Sequence, residues 1–495
     1  MRVRIGFEVH QQLDTSKLFC DCPSLLREDE PSYNCLRSLR PTQSELGEMD
    51  KAALKEFLKG KRYLYQGYGD STCLVEIDEE PPHSPNRDAI DTAIEAALML
   101  NADIVDEIHF MRKLVIDGSN TSGFQRTAIV ALDGRLKIGE IELRIPTICL
   151  EEEAARKIMD EDDRTIYRLD RLGIPLVEIT TAPDITSPAQ ARETALKIGE
   201  LLRSTAKVKR SLGTIRQDIN VSIEGGARVE IKGVQDLNQI PRVIENEAER
   251  QEMLLLVKKK LHSRGISKSK LKFKLIKTTD TLKKSTSKRI KGQLAKGIAL
   301  VLVLPGFGGL LKDKLGPEMA QHSKLASGLG GILHSDEFPG YGVTKKEVKS
   351  LSGLLGTGDN DAFVLVLAPR EAAEKALEAV FERALMAFDG VPEETRVANQ
   401  DGITSYMRPL PGAARMYPET DIPPIVITED RIARIKANLS ESYEVKKKRY
   451  VKEHGLSQEM AFQLLAATTA EKPAWQIYDE IVGSVKVSPR IVAKT

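Results

Sequence analysis

The chain has 495 residues, of which 41% are hydrophobic and 29% are charged, and its formal net charge is +1. This composition is typical of a soluble globular protein with roughly two to four domains. Because the net charge is near zero, any contact with a polyanion must come from a local patch. The longest uncharged run, 297–311, is too short to span a bilayer and contains Pro305 and four glycines. It predicts a buried strand and a loop, and no membrane segment.

The N-terminal segment predicts a strand with an acid and a histidine on one face. Apolar residues alternate from Val3 to Val9, so Glu8 and His10 share the opposite face, about 7 Å apart along the strand. A carboxylate and an imidazole presented in this way suit a metal ion or a phosphate. A structural Glu–His contact on a solvated face is the alternative, and this strand alone does not decide between them.

Three cysteines after this strand resemble part of a zinc knuckle. Cys20 and Cys22 form a C-x-C pair, and Cys35 follows, but a structural zinc site takes four ligands. A degenerate zinc site and reduced thiols in a loop are both open interpretations. Cys73 and Cys149 stand in strand-like surroundings and are predicted to lie in the core. Five cysteines without a secretory leader predict a reducing, cytoplasmic location.

The segment 147–184 concentrates acids in apolar surroundings. Glu151, Glu152 and Glu153 follow one strand-like run, and Glu178 lies inside a second. A carboxylate buried in such a run is costly unless a cation meets it, and a hard divalent cation such as Mg2+ takes oxygen ligands. Taken alone, the three consecutive acids are more typical of a helix start. Together with Glu178 and the N-terminal strand, they favour a metal site.

Further elements follow from spacing and local charge. Amphipathic patterns predict helices at 40–60, 88–101 and 187–205. A predicted hairpin then places Asp218, Glu230 and Lys232 on strand faces. From Lys258 to Lys296 the sequence has fifteen Lys or Arg and one acid. Lysines alternate with other residues at 268–275, which predicts a strand with one cationic face. This charge favours contact with RNA, and a solvated basic surface is the alternative.

Several motifs occur in a fixed order along the chain: IGFEVHQQL, CLEEEA, LDRLGIPLVEITTAPDITSPAQAR, QDINVSI, RVEIKGV and RMYPETDIPP. In this order they resemble the B/E subunit family of tRNA-dependent amidotransferases, over essentially the whole chain. A basic, then glycine-rich insertion precedes the last motif and is similar to the module inside bacterial aspartyl-tRNA synthetases. The combination resembles the archaeal E-type members of the family.

The resemblance implies an α+β, multidomain fold with a mixed or antiparallel sheet. The implied domains are a cradle (1–262), an aspartyl-tRNA-synthetase-like α/β insertion (263–404), a return segment of the cradle (405–427) and a C-terminal helical domain (428–495). Many relatives also have a tail domain that grips tRNA. This domain is not expected here, so tRNA binding by these residues alone is expected to be incomplete.

The resemblance also implies an enzyme, a carbon–nitrogen ligase with glutamine as amido donor. As the kinase and transamidase subunit, it converts glutamyl-tRNA(Gln) to glutaminyl-tRNA(Gln). ATP phosphorylates the γ-carboxylate of the attached glutamate, and ammonia then displaces the phosphate. Mg2+ bridges phosphate oxygens and neutralises charge in such a transfer.

Site residues carry over by motif from the same resemblance. The implied catalytic residues are Glu8, His10, Glu152 and Glu178. The implied Mg2+ ligands are Glu8, His10, Glu151, Glu152 and Glu178. The implied ATP contacts are Glu151, Asp218, Glu230 and Lys232. Cys20, Cys22 and Cys35 form the possible degenerate zinc site, and the fourth cysteine found in zinc-binding relatives is missing, which argues against zinc.

The implied partners follow from what the sequence lacks. It has neither an amidase-type Ser-Ser-Lys pattern nor an asparaginase-type threonine motif, so ammonia must come from another protein chain. In the family this is an asparaginase-like glutaminase subunit, in a cytoplasmic heterotetramer that acts on glutamate-charged tRNA(Gln). Two alternatives stay open: a non-catalytic tRNA-binding scaffold, and a carboxylate-activating ligase acting on a small molecule. The basic stretch argues against the second.

Overall fold

The computed structural model describes residues 2–40, 57, 60–115, 117–161, 163–410, 416–468 and 472–494. The chain separates into two compact units. The large unit comprises 5–219, 234–238 and 411–495, and the small unit comprises 1–4, 220–233 and 239–410. The helix predicted at 40–60 falls almost wholly outside the described residues. The domain boundaries predicted from the sequence stay a prediction.

The elements of the described residues are as follows. The strands are β1 Val3–Gln12, β2 Tyr33–Arg37, β3 Arg62–Gly67, β4 Asp103–Ile104, β5 Glu107–Ile108, β6 Phe110–Leu114, β7 Phe124–Ile138, β8 Ile141–Glu152, β9 Arg156–Asp160, β10 Arg164–Arg168, β11 Pro175–Thr180, β12 Ile215–Ile223, β13 Val229–Lys232, β14 Leu275–Lys277, β15 Ile298–Leu304, β16 Leu333–His334, β17 Ala362–Ala368, β18 Glu394–Ala398, β19 Thr404–Pro409, β20 Met416–Pro418 and β21 Ile425–Val426. The helices are α1 Arg87–Met99, α2 Pro188–Ser204, α3 Ile240–Ser263, α4 Thr279–Leu282, α5 Lys288–Leu294, α6 Gly316–Ser327, α7 Lys345–Leu355, α8 Arg370–Met386, α9 Glu429–Ala437, α10 Tyr443–Lys452, α11 Gln458–Ala466, α12 Ala474–Ser484 and α13 Pro489–Val492.

The main sheet of the large unit positions the residues of interest. Its strands β1, β11, β8, β7, β6 and β20 lie in that order, and each adjacent pair is antiparallel. A second sheet has the order β2–β3–β10–β9, with β3 and β10 parallel. Helices α1 and α2 and the C-terminal helices α9–α13 complete this unit. The fold therefore combines helices with several mixed or antiparallel sheets in more than one domain.

Local predictions for the first strand and two helices are confirmed. In β1, Val3 to Val9 alternate as buried positions, whereas Glu8 and His10 are half-buried. Helix α1 begins after Asn86, whose side chain accepts a hydrogen bond from the backbone N–H of Ala89 at 2.9 Å. Helix α2 begins after the cap Ser187 with proline in its first turn, as that position favours.

In the small unit, β14–β15–β17–β16 form an antiparallel sheet, and β13, β18 and β19 pair side by side. The strand predicted at 268–275 is wrong. Residues Lys268–Lys270 form a short 3-10 helix, and ladder pairing with β15 begins only at Leu275. Alternation of lysines with other residues makes a strand only where a neighbouring strand supplies backbone hydrogen bonds.

Six oppositely charged side chains, all buried except the nearly buried Arg250, hold helices α3, α6 and α8 and strand β18 together in the small unit. Glu318 lies at their centre: it accepts hydrogen bonds from Arg250 Nε at 2.9 Å, Arg383 Nη2 at 3.0 Å and Arg396 Nη2 at 3.1 Å. Burial alone raises the pKa of Glu318, but these arginines hold that pKa well below its usual value. The cluster comprises Glu247, Arg250, Glu318, Arg383, Glu394 and Arg396.

The helices of the described part of the chain include none with the length and apolar content needed to cross a bilayer.

Candidate active site

Strand register brings a histidine and two acids to one face of the main sheet. His10 of β1 lies directly opposite Glu178 of β11. On the other side of β11, Leu176 lies opposite Glu151 of β8. Because residues two apart on a strand point to the same face, His10, Glu151 and Glu178 project together.

The three side chains are in close contact. His10 Nε2 lies 3.4 Å from Glu178 Oε2 and 3.5 Å from Glu151 Oε1. Glu151 is almost fully buried, with 1% of its side chain exposed, whereas His10 and Glu178 keep about one-sixth exposed, 16% and 15%. Lys113 of β6 approaches from the other side, with its Nζ 3.9 Å from Glu151 Oε2. The group is therefore reachable from solvent on the His10 side and closed on the Glu151 side.

Proximity shifts the pKa of each member of this group. Burial lowers the pKa of His10, but the hydrogen bond to Glu178 and the charges of Glu151, Glu178 and Asp218 raise it to about 9. Burial and the neighbouring Glu178 raise the pKa of Glu151 to about 7. Burial also acts to raise the pKa of Glu178, but the hydrogen bond from His10 lowers it to about 2. Near neutral pH the group therefore holds a proton on the imidazole and exchanges one on Glu151.

A second pair of acids lies beside this group. Glu8 lies on the same face of β1 as His10. Its carboxylate is within 4.8 Å of the carboxylate of Asp218 on β12. Both side chains are half-buried and both have partners in the structure. This part of the sheet therefore presents four carboxylates, one imidazole and one ammonium group.

The His10 group fits a divalent cation on its own contacts. The ligand atoms of His10, Glu151 and Glu178 all lie within 4.8 Å of one another. Glu151 Oε2 is buried and has no hydrogen-bond donor among the described residues, although buried polar atoms are normally satisfied. Carboxylate oxygens are the ligands that Mg2+ prefers, and a cation there would satisfy this oxygen. His10 would have to lose its proton to join the ligand set.

Glu152 is a correction to the predicted metal set. It follows Glu151 on β8, so its side chain points to the opposite face of the sheet. There its Oε1 accepts the backbone N–H of Arg126 at 2.9 Å and lies 3.5 Å from the Arg126 guanidinium. Arg126 also donates to Glu419 at 2.7 Å. The structure therefore does not bring Glu152 to His10 and Glu178, and a motif match alone could not separate it from Glu151.

Two other predicted site residues, Glu230 and Lys232, lie in the small unit on β13. Lys232 Nζ is 2.5 Å from Glu230 Oε1, and Thr395 donates to Glu230 Oε2 at 3.1 Å. Their role as ATP contacts stays a prediction. Lys113 was not predicted from the sequence, because a lysine in a strand-like run gives no sign of the acid that its strand neighbours will bring beside it.

The thiol cluster also differs from the prediction. Cys20 and Cys22 meet Cys73 and Glu76, whose ligand atoms all lie within 4.8 Å of one another. Cys35, the predicted third ligand, instead lies on β2 and packs against the apolar cluster around Tyr65. Cys73 and Cys149, both predicted to lie in the core, are only half-buried. The tertiary fold, rather than nearness in sequence, selects which cysteines meet.

A buried lysine already supplies a positive charge to the carboxylate of this cluster. Lys17, with no exposed side-chain surface, lies with its Nζ 3.4 Å from Glu76 Oε1 and donates to the carbonyl of Leu169. Cys20 Sγ donates to the same carboxylate oxygen at 2.8 Å, and the backbone N–H of Cys73 donates to the other at 2.7 Å. Burial and Glu76 raise the thiol pKa of Cys20, and raise that of Cys73 to about 11. Lys17 and the backbone N–H of Cys73 already contact the two oxygens of Glu76, so three thiols remain, one fewer than the four ligands of a structural zinc site.

Comparison with known proteins shows the family to which the chain belongs. Residues 3–433 match the family model described as the GatB/GatE catalytic domain. The match covers most of the chain, which therefore belongs to the GatB/GatE catalytic-domain family.

Particular relatives are similar along the whole chain, and all three named here are E subunits of a glutamyl-tRNA(Gln) amidotransferase. The chain is 49% identical over 503 aligned residues to the protein of Methanocaldococcus jannaschii, covering 100% of this chain and 79% of that protein. It is 51% identical over 487 residues to the protein of Thermococcus gammatolerans, covering 97% and 76%. It is 48% identical over 505 residues to the protein of Methanopyrus kandleri, covering 100% and 78%.

Proposed function

We propose that this chain is the ATP-dependent kinase and transamidase subunit of a glutamyl-tRNA(Gln) amidotransferase. It converts glutamate attached to tRNA(Gln) to glutamine through a γ-phosphoryl-glutamyl intermediate. The observation that carries the proposal is the group of His10, Glu151 and Glu178 on one sheet face. The names of the similar relatives supply the substrate, a tRNA charged with glutamate.

The reaction must bring two anions together, the substrate carboxylate and the ATP phosphates. The four acids of this sheet would repel both without a counter-charge. His10, Glu151 and Glu178 would hold Mg2+, which when bound would supply the positive charge that offsets the two anions during the transfer. Glu8 and Asp218 extend the same surface, and we propose that they contact the cation or its water.

The remaining side chains act by holding charge and position. In the absence of a cation, His10 keeps a proton on Nε2 between the two acids, which offsets part of the repulsion between the carboxylates. Lys113 lowers the pKa of Glu151, which keeps this ligand ionised closer to neutral pH. All four groups stand on paired strands, so their separations are set before substrate binds, which favours a positioned phosphoryl transfer.

We propose further that ammonia comes from an asparaginase-like glutaminase subunit in a cytoplasmic heterotetramer. The lack of an amidase-type or asparaginase-type motif in the sequence supports an outside source. The module at 263–404 is proposed to be of the aspartyl-tRNA-synthetase insertion type. Its basic stretch supports an RNA substrate over a free small molecule.

The decisive experiment reconstitutes this chain with the glutaminase subunit and measures ADP release. We expect ADP only when glutamyl-tRNA(Gln) is present, and not with free glutamate. Glu178→Gln should lower the rate by about 100-fold, a typical loss for a group that stabilises transition-state charge. Glu142→Gln, on an exposed hairpin acid, serves as the control and should keep the rate.

Each alternative function predicts a different result. ADP release with free glutamate would identify a small-molecule ligase. Full activity of Glu178→Gln in the reconstituted complex would identify a scaffold and overturn the proposed site.

A further inference from the structure

We infer that one surface of the small unit binds the phosphate backbone of the RNA substrate. This basic surface is defined by Lys283, Lys284, Lys288, Arg289, Lys291 and Lys296. The inference rests on the proposed function for the identity of the RNA, and it assigns the place where that RNA is held. It lies outside the group of His10 and its acids.

The local structure turns every cation of this surface toward solvent. Helices α4 and α5 are short and are anchored by a few apolar residues, Leu282 in α4 and Ile290 and Leu294 in α5, which pack in the hydrophobic core with strands β15 and β17. All six basic side chains are exposed, and the segment 281–312 contains no acid. Because the apolar residues of the two helices face the core, the basic side chains between them face solvent.

Among the residues that the structure describes, five of the six cations of this surface, all but Lys283, lack the ion pairs that exposed cations form elsewhere in the chain. Exposed cations such as Arg370 and Lys375 find carboxylates at 2.8 Å on their own helix. Among the described residues, by contrast, no acid forms an ion pair with Lys284, Lys288 or Lys291. The whole chain has 73 basic and 72 acidic residues, so unpaired cations are not forced by composition.

The acids that do approach this surface are already engaged. Asp280 pairs with Lys283 at 2.9 Å. Glu347 of α7 accepts the backbone N–H of Thr286 and caps its own helix. Glu337 accepts the hydroxyl of Tyr341. These contacts leave the outward ammonium groups free to meet an external anion.

An aromatic ring beside the cations favours RNA over an acidic protein. Tyr341 is 43% exposed, and the guanidinium of Arg289 lies 4.6 Å from its ring centre. Unpaired bases of RNA stack on aromatic rings and on guanidinium planes. The lysines contact the backbone, because neutralising phosphates releases counterions and drives binding. A stacking pair within a cluster of lysines offers both kinds of contact.

The test compares two variants of the full chain that change the same charge. One is K284E/K288E/K291E. The control is K312E/K314E/K324E, three exposed lysines of the same unit. Lys312 and Lys314 follow β15, whereas the basic surface precedes it, and the seven residues of that strand span about 20 Å. Glutamyl-tRNA(Gln) binding is titrated at several salt concentrations without ATP, and thermal unfolding checks that both variants fold.

We expect the surface variant to weaken tRNA binding at least tenfold and to flatten the salt dependence. Each lost phosphate contact lowers the slope of log K against log salt by about 0.7–0.9. In the reconstituted complex its KM for tRNA should rise while kcat at saturating tRNA stays unchanged. The control should bind as the wild type does.

Three outcomes would overturn the inference. Equal weakening by both variants would show a general effect of charge. Unchanged tRNA binding would show that the surface is merely solvated. Loss of the glutaminase subunit with unchanged tRNA binding would assign the surface to a protein partner. None of these depends on ATP chemistry, so failure of the proposed function would appear separately, as ADP release without a tRNA requirement.

Discussion

Replacing Glu318 by glutamine tests whether the buried charge cluster of the small unit fixes its helices. Glu318 contacts three arginines, Arg250, Arg383 and Arg396, and only 6% of its side chain is exposed. The substitution keeps the volume and removes one negative charge. The arginines are then left with two acids, Glu247 and Glu394, and the cluster acquires a net positive charge in a dry interior.

The expected loss is large because the partners cannot move to water. Removing one member of a buried ion pair typically costs about 3–5 kcal/mol. For a unit of this size, each kcal/mol lowers the Tm by about 2–4 °C, so a fall of about 6–20 °C is expected. Glu374→Gln breaks an exposed pair with Arg370 and should change stability by no more than about 0.5 kcal/mol.

Acid pH supplies an independent check on the same residue. The arginines hold the pKa of Glu318 well below its usual value, so the unfolded chain binds its proton first as the pH falls. The contribution of Glu318 is therefore complete above about pH 4.5 and is lost as the pH falls through the folded pKa. The difference between wild type and Glu318→Gln should shrink in strong acid.

Urea titration and thermal unfolding, followed by circular dichroism, provide the measurement. A loss below about 1 kcal/mol for Glu318→Gln, or a loss equal to that of Glu374→Gln, would refute the reasoning. Either result would mean that the arginines are hydrated and that the cluster contributes no more than a surface pair.

The remaining predictions concern the sheet site and the thiols. Glu151→Gln should weaken Mn2+ binding by at least about tenfold, whereas Glu152→Gln should leave it nearly unchanged; equal losses in calorimetry would contradict the two-faced placement. Lys113→Met should raise the pKa of Glu151 and move the acid limb of ADP release to higher pH, and an unshifted limb would exclude that contact. The purified chain should contain less than one zinc ion per chain and keep its Tm in EDTA. Because Lys17 pairs with Glu76 inside the thiol cluster, Lys17→Met should lower the free energy of unfolding by about 3–5 kcal/mol. One tightly held zinc per chain would contradict a cluster in which Lys17, and not a metal, meets Glu76.

The features that could be predicted from the sequence depend on interactions between residues close together in the chain. The alternation of β1 and the amphipathic spacing of α1 and α2 depend on residues within a few positions, and each was confirmed. The pattern of β1 also placed Glu8 and His10 on one face before any coordinates. The motif order assigned the family, which the comparison with known proteins bears out.

The features that could not be predicted depend on strand register and on contacts between segments that are distant in the sequence. Glu151 and Glu152 are adjacent acids in one motif, and only the pairing of β8 with β11 shows that the first faces His10 and the second faces Arg126. Cys73 lies beside Cys20 because the chain folds back on itself. Cys35 is closer to Cys20 in sequence, but it lies on β2 and packs elsewhere. Local sequence sets the shape of each segment, but which side chains meet depends on backbone hydrogen bonds between segments distant in the chain.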